Sequence, residues 1–283
     1  MGAEATAMKT TLLLLGTAAL LCADQEARET IRQTLPAAAR LEVDNIHGYI
    51  HVSGYSGSEI QIVAEKTIQA DTAERLEAAK RDVKLDVSRS GDTLVLFVDG
   101  PFRCHCEDNR WGVHDHGDRG YWVSFDFDIK VPAATFLKLG TVNRGDIRVE
   151  NTTGDFDVGN VNRGIEMTDV SGSGRVHTVN GGIKVLFAKN PSSDCAFDTV
   201  NGGIETSFRP NLNANAWIKT FNGSAYTDYD VTALPRASSA GERRDGKFIY
   251  RSNDFNGVKI GNGGPELKYN TLNGSIRIIN RGQ

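Results

Sequence analysis

Residues 100–120 carry the side chains best suited to chemistry, in two short motifs, Cys104-His105-Cys106 and His114-Asp115-His116. Two thiolates and two imidazoles on one loop can surround a zinc ion in tetrahedral geometry. Copper and nickel accept the same nitrogen and sulfur ligands. The pattern predicts a metal site that holds zinc or copper, with the ligands Cys104, Cys106, His114 and His116.

The same loop has two other interpretations. In an oxidising compartment its thiols would form a disulfide instead. If Cys22 is removed, Cys104, Cys106 and Cys195 remain, and this odd number leaves one cysteine unpaired within the chain. The Cys-x-Cys spacing also differs from the usual zinc spacing, and a polar histidine-rich loop needs no ligand at all. The residues alone leave metal, disulfide and neither open.

We found no sequence motif that predicts an enzyme. The chain has no Gly-x-Ser-x-Gly elbow, no phosphate-binding loop and no His-Glu-x-x-His. Parallel β-helices can use paired acids in glycan chemistry, but the acids here fall at turns, where Asp is common for backbone reasons. These acids are Asp146, Asp155, Asp157 and Asp169.

Four arginines in the second half of the chain could line one face and bind an acidic sugar or a phospholipid. Ion pairing with neighbouring Asp and Glu is the simpler interpretation. These arginines are Arg144, Arg148, Arg163 and Arg175.

The N-terminus has the pattern of an export signal. Lys9 precedes an apolar run from Leu12 to Leu21 that is too short to span a bilayer, and Ala23 offers a small residue for cleavage. We therefore assign residues 1–23 to a signal peptide. Lipidation of Cys22 is the alternative, and it would tether the protein to a membrane. Both predict an exported protein of the periplasm, outer envelope or cell surface.

Composition excludes some classes of function. The chain of 283 residues has 30 Gly, 7 Pro and a net charge of −4, so nothing suggests a nucleic-acid partner. High Gly with low Pro is typical of a turn-rich β protein.

A short motif that would position any site recurs between residues 141 and 278. It begins as Thr141-Val142-Asn143-Arg144-Gly145-Asp146-Ile147 and returns at Asn162, Asn180, Asn201, Asn222 and Asn273, in steps of 19, 18, 21, 21 and 51 residues. Apolar residues alternate on both sides of the Asn, as in strands with one buried face. Asn followed by Gly favours a tight turn between two such strands.

A fixed step near twenty residues with the same turn each time is the signature of a stacked repeat. We therefore predict an all-β protein built as a single β-solenoid, resembling a parallel β-helix. Stacked Asn amides would hydrogen-bond from one copy to the next. A β-sandwich has similar turn spacing, but it would not repeat the same motif at one corner.

The apolar residue before each Asn breaks strict alternation, as at Val179 and Phe221. Either a bulge turns this residue inward, or it forms an apolar ladder on the outside.

The remaining segments complete the predicted organisation. Residues 24–39 form a charged leader. Residues 40–135 form an N-terminal β region with a hairpin, a degenerate repeat copy at Asn45 and a short capping helix over 71–83 that follows a capping-box pattern. Residues 136–283 form the solenoid, with a charged insert over 235–256 that we interpret as a solvated hairpin.

The strand ending at Pro132, the repeated Asn-Gly-x-Ile motifs and the closing Gly263-Gly264-Pro265-Glu266-Leu267 resemble the bacterial putative-adhesin family of β-strand repeats, a domain of unknown function. The similarity covers residues 40–280. It implies an exported or membrane-attached, solenoid-like protein without known catalytic residues. The Cys/His loop and the insert over 235–256 depart from the family.

Three functions follow as hypotheses. The first is a non-enzymatic, exported interaction scaffold with a protein or glycan partner at the cell envelope. The second is a carbohydrate-active enzyme on a β-helix. The third is an envelope-stress or metal-responsive accessory protein.

Overall fold

The computed structural model describes residues 25–105, 111–113, 119–235, 242–244, 247–249 and 255–282. The described chain is nearly all β, with one short helix and two large mixed sheets. In this part of the chain, no helix combines the length and apolar character needed to cross a membrane.

The first half of the chain contains the helix and nine strands among the described residues. They are β1 (Gln25–Pro36), β2 (Arg40–Asp44), β3 (Ile50–Tyr55), β4 (Glu59–Ala70), α1 (Ala73–Asp82), β5 (Lys84–Ser90), β6 (Thr93–Asp99), β7 (Arg103–His105), β8 (Trp111–Val113) and β9 (Tyr121–Pro132).

Eleven strands follow in the main repeat region. They are β10 (Phe136–Thr141), β11 (Ile147–Glu150), β12 (Phe156–Asn160), β13 (Ile165–Val170), β14 (Gly174–His177), β15 (Ile183–Phe187), β16 (Cys195–Asn201), β17 (Ile204–Phe208), β18 (Ala214–Asn222), β19 (Ala225–Thr227) and β20 (Val231–Ala233).

The last strands are β21 (Glu242–Arg244), β22 (Lys247–Ile249), β23 (Asn256–Ile260), β24 (Glu266–Asn273) and β25 (Ile276–Asn280). β21 and β22 pair with each other in antiparallel fashion, so the predicted insert contains a hairpin.

Each repeat copy contributes one strand to each large sheet. The first sheet has the order β1-β4-β9-β3-β11-β13-β15-β17-β25-β19, and the second has β20-β23-β18-β24-β16-β14-β12-β10-β2-β6-β5. Within the repeats the paired strands are parallel and keep equivalent residues level, apart from a register shift between Thr168 and Val170 on β13. Ile147, for example, is level with Ile165 on one side and Ile50 on the other. The degenerate copy at Asn45 therefore stacks on the first full copy, as its motif predicts.

The last copy does not stack in chain order. β24 lies between β16 and β18, and β25 lies between β17 and β19. The copy at Asn273 is thus inserted between those at Asn201 and Asn222. The step of 51 residues before Asn273 gives the chain enough length to pass the copy at Asn222 and return.

Stacked turns explain why the motif recurs. Asn162 Nδ2 donates to Asn143 Oδ1 at 2.6 Å, and Asn180 Nδ2 donates to Asn162 Oδ1 at 3.0 Å. The column continues through Asn201 and Asn273 to Asn222, with each amide bonded to its neighbour at 2.7–2.8 Å. The predicted hydrogen bonds between asparagines of successive copies are confirmed.

The polar residue two places before each Asn bonds to the neighbouring turn. Thr178 Oγ1 donates to Arg163 O at 2.8 Å, and Thr199 Oγ1 donates to Gly181 O at 2.9 Å. Both threonines are buried. These bonds satisfy turn carbonyls that the parallel ladder leaves without a partner.

The residue before each Asn points outward and forms the external apolar ladder. Val179 and Val200 are each 38% exposed, Leu272 is 46% exposed and Phe221 is 76% exposed. The alternative, a bulge that buries these residues, is not what the structure contains.

The segment interpreted as a leader is mostly strand. β1 pairs with β4 along all twelve of its residues and forms one edge of the first sheet. Ala27, Ile31 and Leu35 pack partly against the core, while the charged residues between them face outward. Charged side chains on an edge strand discourage pairing with other chains. In the sequence, these charges make the segment resemble a polar leader and not a strand.

Helix α1 begins close to its predicted position. Thr72 is the N-cap, and its hydroxyl accepts from Arg75 N–H at 3.3 Å. The N3 residue is thus Arg75 and not the acid of a capping box. At the other end Lys66, only 4% exposed, donates to Val83 O at 2.5 Å, which places a cation at the negative end of the helix.

Candidate functional site

The outer face of the first sheet carries a row of charged residues at matching positions on neighbouring strands. The register sets Asp128 beside His51, His51 beside Arg148, and Arg148 beside Glu166. The row continues through Lys184, Glu205 and Arg277. Opposite charges on adjacent strands attract each other, which favours this register.

On the side of Arg148 away from His51, the charged residues of the row form two ion pairs. Lys184 Nζ lies 3.9 Å from Glu166 Oε1, and Arg277 Nη1 lies 3.8 Å from Glu205 Oε2. Arg148 forms no ion pair or side-chain hydrogen bond with any residue that the structure describes. Its guanidinium therefore keeps its donors available to a ligand.

A hydrogen-bonded cluster borders Arg148. Tyr49 Oη donates to Asp128 Oδ2 at 2.9 Å, and His51 Nδ1 lies 3.1 Å from Asp128 Oδ1. His51 Nε2 lies 3.8 Å from Glu150 Oε2. Partial burial, and then the bond to Asp128, raise the pKa of Tyr49 to about 12, so the phenol stays protonated and Asp128 is held in one orientation.

Arg144 is fixed by an unusual backbone conformation. Its φ is +62°, in the left-handed region, where residues other than Gly, Asn and Asp are uncommon. Its guanidinium lies 4.9 Å from the ring centroid of Trp122, which is the range of a cation–π contact. His47 packs on the same indole at 5.6 Å.

A groove of about 590 Å³, which we call the arginine groove, lies between Arg144, Arg148 and the cluster of Tyr49, His51 and Asp128. Ile50, Gly145 and Asp146 also line it. A shallower depression of about 320 Å³ continues from Asp146 and Arg148 towards Glu166 and Lys184. The arginine groove is defined by Tyr49, His51, Asp128, Arg144, Arg148 and Arg163.

A larger cleft of about 1030 Å³ lies on the second sheet. The outward row on this sheet runs Asp44, Gly140, Gly159, His177 on adjacent strands. The two glycines have no side chains, which makes room for the cleft. Asp44 is paired with Arg103 at 3.1 Å. Burial lowers the pKa of His177, and nearby Arg175 lowers it further. Several carboxylates line this cleft, so it does not suit an anionic ligand.

The structure brings three of the four predicted arginines together. Arg144, Arg148 and Arg163 line the arginine groove. Arg175 lies on the second sheet, 3.4 Å from Asp198, where the simpler interpretation of an ion pair applies.

Two of the predicted acids serve the backbone of the next copy. Asp146 Oδ1 accepts from Gly164 N–H at 3.1 Å, and Asp155 Oδ1 accepts from Ser173 N–H at 2.8 Å. Asp169 lies 3.6 Å from Arg281 instead. Asp157 lines the cleft on the second sheet.

The predicted metal ligands lie almost entirely outside the described residues. Cys106, His114 and His116 are not described, and Cys104 is described only through its backbone pairing with Gly112. Among the described residues, no group of three or more His, Cys, Asp or Glu could hold a metal ion. The zinc or copper site stays a prediction. Cys195 is free and buried, which raises the pKa of its thiol to about 11.

Our sequence reasoning missed Tyr49, His51 and Asp128 as members of the site. A signal was available for His51, because alignment of the degenerate copy on Ile50 and Ile147 places it beside Arg148. No repeat alignment could place Asp128, because its strand β9 lies outside the repeats. Its pairing with β3 is set by the fold and leaves no pattern in the sequence.

No protein-family model matches the chain, and no curated protein matches it. Comparison with solved structures matches a putative cell adhesion protein from Clostridium sporogenes, with 10% identity, 92% of this chain and 100% of that chain covered, and a TM-score of 0.42. A putative adhesin from Bacteroides fragilis has 11% identity, 90% and 97% coverage, and a TM-score of 0.40. A putative lipid binding protein from Parabacteroides distasonis has 11% identity, 89% and 96% coverage, and a TM-score of 0.26. At these values none of them assigns a function to this chain.

Proposed function

We propose that this chain is a non-enzymatic, exported scaffold of the cell envelope, and that its repeats form one β-solenoid. The observation that carries the proposal is the column of six bonded asparagines. Such a column requires each copy to occupy the same position relative to the next. Side chains on the outer faces then form straight rows that a long partner can follow.

The alternation of strands between the sheets supports the solenoid. The chain crosses from the second sheet to the first at each Asn turn and pairs in parallel with the copies on either side. Parallel neighbours need a return connection. Half-repeat turns supply it here, as at 151–155, where Asn151 has a φ of +57°.

A binding role fits the arginine groove better than a catalytic role does. Asp128 holds Tyr49 and His51, and Asp146 holds the backbone of Gly164, so both carboxylates already have structural partners. A general acid or base would need to be free to exchange a proton with a substrate. We propose a protein or glycan of the envelope as the partner.

Export is supported by Lys9, the apolar run 12–21 and Ala23. The test is expression of the full chain in a bacterial host, followed by fractionation and N-terminal sequencing. We expect the protein outside the cytoplasm with Asp24 as its first residue. If Cys22 is lipidated instead, the protein will partition with membranes, and Cys22→Ser will release it. A full-length protein that remains in the cytoplasm would contradict the proposal.

A further inference from the structure

We propose that the arginine groove binds a carboxylate-bearing polysaccharide, with Arg148 and Arg163 as the principal anion-binding residues. The inference rests on the proposed function, because an envelope scaffold works where such polymers occur.

The first step of the argument is the availability of the cations. The guanidinium groups of Arg148 and Arg163 make no ion pair or hydrogen bond within the described chain, although both side chains are exposed and line a groove that also contains carboxylates. Asp146 is occupied by the backbone of Gly164, and Glu166 is oriented towards Lys184. A guanidinium presents two parallel N–H donors that match the two oxygens of a carboxylate.

The second step is preorganisation at one end of the arginine groove. Arg144 combines a left-handed backbone with stacking on Trp122. Its turn, from Asn143 to Ile147, has one residue more than the turn from Asn162 to Ile165. Backbone conformations of this kind persist where the surrounding structure holds them, and they cluster at binding sites.

The third step separates sugars from other anions. Asp128 also lines the arginine groove, two strands from Arg148 in the same row, and its oxygens can accept further hydrogen bonds. A sugar supplies hydroxyl donors for Asp128 and a carboxylate for the arginines. Polyphosphate has no such donors, and Asp128 and Asp146 would repel it. Tyr49, which is 36% exposed, offers a ring against which the apolar face of a sugar can pack.

The fourth step concerns the length of the ligand. Arg144 and Arg163 belong to successive copies, which lie about 4.8 Å apart along the stacking direction. The adjoining depression extends the surface to Lys184 in the following copy. A polymer can contact several copies at once, and each additional contact benefits from the high effective concentration that the first contact creates.

The test compares two double variants that remove the same charge. Arg148→Gln with Arg163→Gln removes the free arginines. Arg175→Gln with Arg28→Gln removes two exposed arginines that are ion-paired, one on each sheet, and both lie outside the charged row of the candidate site. The mature full chain is titrated calorimetrically with polygalacturonate, fully methyl-esterified polygalacturonate, sodium polyphosphate and phosphatidylglycerol vesicles. Circular dichroism and melting temperature establish that each variant is folded.

We expect the wild type to bind polygalacturonate and to lose at least about tenfold in affinity on methyl esterification. The groove variant should lose a similar factor, and the control variant should stay within about twofold. Absence of polygalacturonate binding, equal losses in both variants, or stronger binding of polyphosphate or vesicles would each overturn the inference. Those results would leave the proposed function intact if the protein still fractionates with the envelope. A cytoplasmic location would reject the proposed function whatever the glycan result.

Discussion

At the scale of single residues, glycine permits the close approach of successive turns. A Cβ on Gly202 would lie 1.9 Å from Gly181 O, whereas a Cβ on Gly182 would lie 3.5 Å from Gly203 O. Gly202→Ala should lower the free energy of unfolding by about 2 kcal/mol, because the backbone of one copy must shift. The matched variant Gly182→Ala should lower it by less than about 1 kcal/mol. Urea denaturation measures both, and equal losses would show that the turns are not in tight contact.

His177 makes the protein sensitive to acid. Its ring lies over Gly159, where a Cβ would come within 2.5 Å of Cε1, and its buried Nδ1 has no hydrogen-bond partner in the described structure. Burial and then Arg175 lower the pKa of His177, while Asp157 and Asp198 oppose that change.

His177 therefore binds a proton more readily in the unfolded state than in the folded state. The stability associated with His177 is complete above about pH 6.5, the unfolded pKa, and is lost as the pH falls through the folded pKa. We expect urea midpoints to decrease more steeply below pH 6.5 in the wild type than in His177→Gln. Parallel curves for the two proteins would contradict this assignment.

At the scale of elements, the asparagine column joins one turn to the next. Asn180 Nδ2 donates to Asn162, and Asn180 Oδ1 accepts from Asn201. Asn180→Ala should lower the free energy of unfolding by about 1–2 kcal/mol, because two hydrogen bonds are lost. Asn143→Ala is the control at the end of the column, where one such bond is lost. Thermal and urea unfolding of both variants test this order, and a larger loss at Asn143 would contradict it.

Local patterns in the sequence predict most of the elements. Alternation predicts the strands around each Asn, and the Asn-Gly motif predicts the turns, because both depend on neighbouring residues. The helix also follows from local signals, the polar residues among 71–74 and the apolar stripe of Leu76 and Ala79, although the structure has Thr72 as N-cap in place of the predicted capping box. β1 is missed because its apolar positions, such as Ala27 and Ile31, are separated by charged residues.

The arginine groove depends on contacts that are distant in sequence. Three of its residues are predicted from the repeat region. Tyr49, which precedes β3, and Asp128 on β9 meet only because the whole fold sets the order of these strands in the sheet. The positive φ of Arg144 is equally hidden, because Arg has no intrinsic preference for that region. Repeat register therefore predicts which repeat residues share a row, but not which residues from outside the repeats extend that row.

At the scale of the whole molecule, the inserted position of the last copy ties the C-terminus into the fold. β24 lies between β16 and β18, and β25 is the neighbour of β19 in the first sheet. Without these two strands β18 would keep only its antiparallel partner β23, and β19 would lose the partner that it has among the described strands.

We therefore expect a chain that ends after Ile260 to lose more than its own missing strands. Amide hydrogens of β18 and β19 should exchange at rates typical of frayed segments, while those of β11, β13 and β15 keep their protection. Hydrogen exchange read by mass spectrometry or NMR makes the comparison. Deletion of 242–249 is the control, because the strands it removes pair only with each other among the described strands. Continued protection of β18 in the shortened chain would contradict this prediction. It would mean that β18 pairs directly with β16 and that the repeats are stable without the last copy.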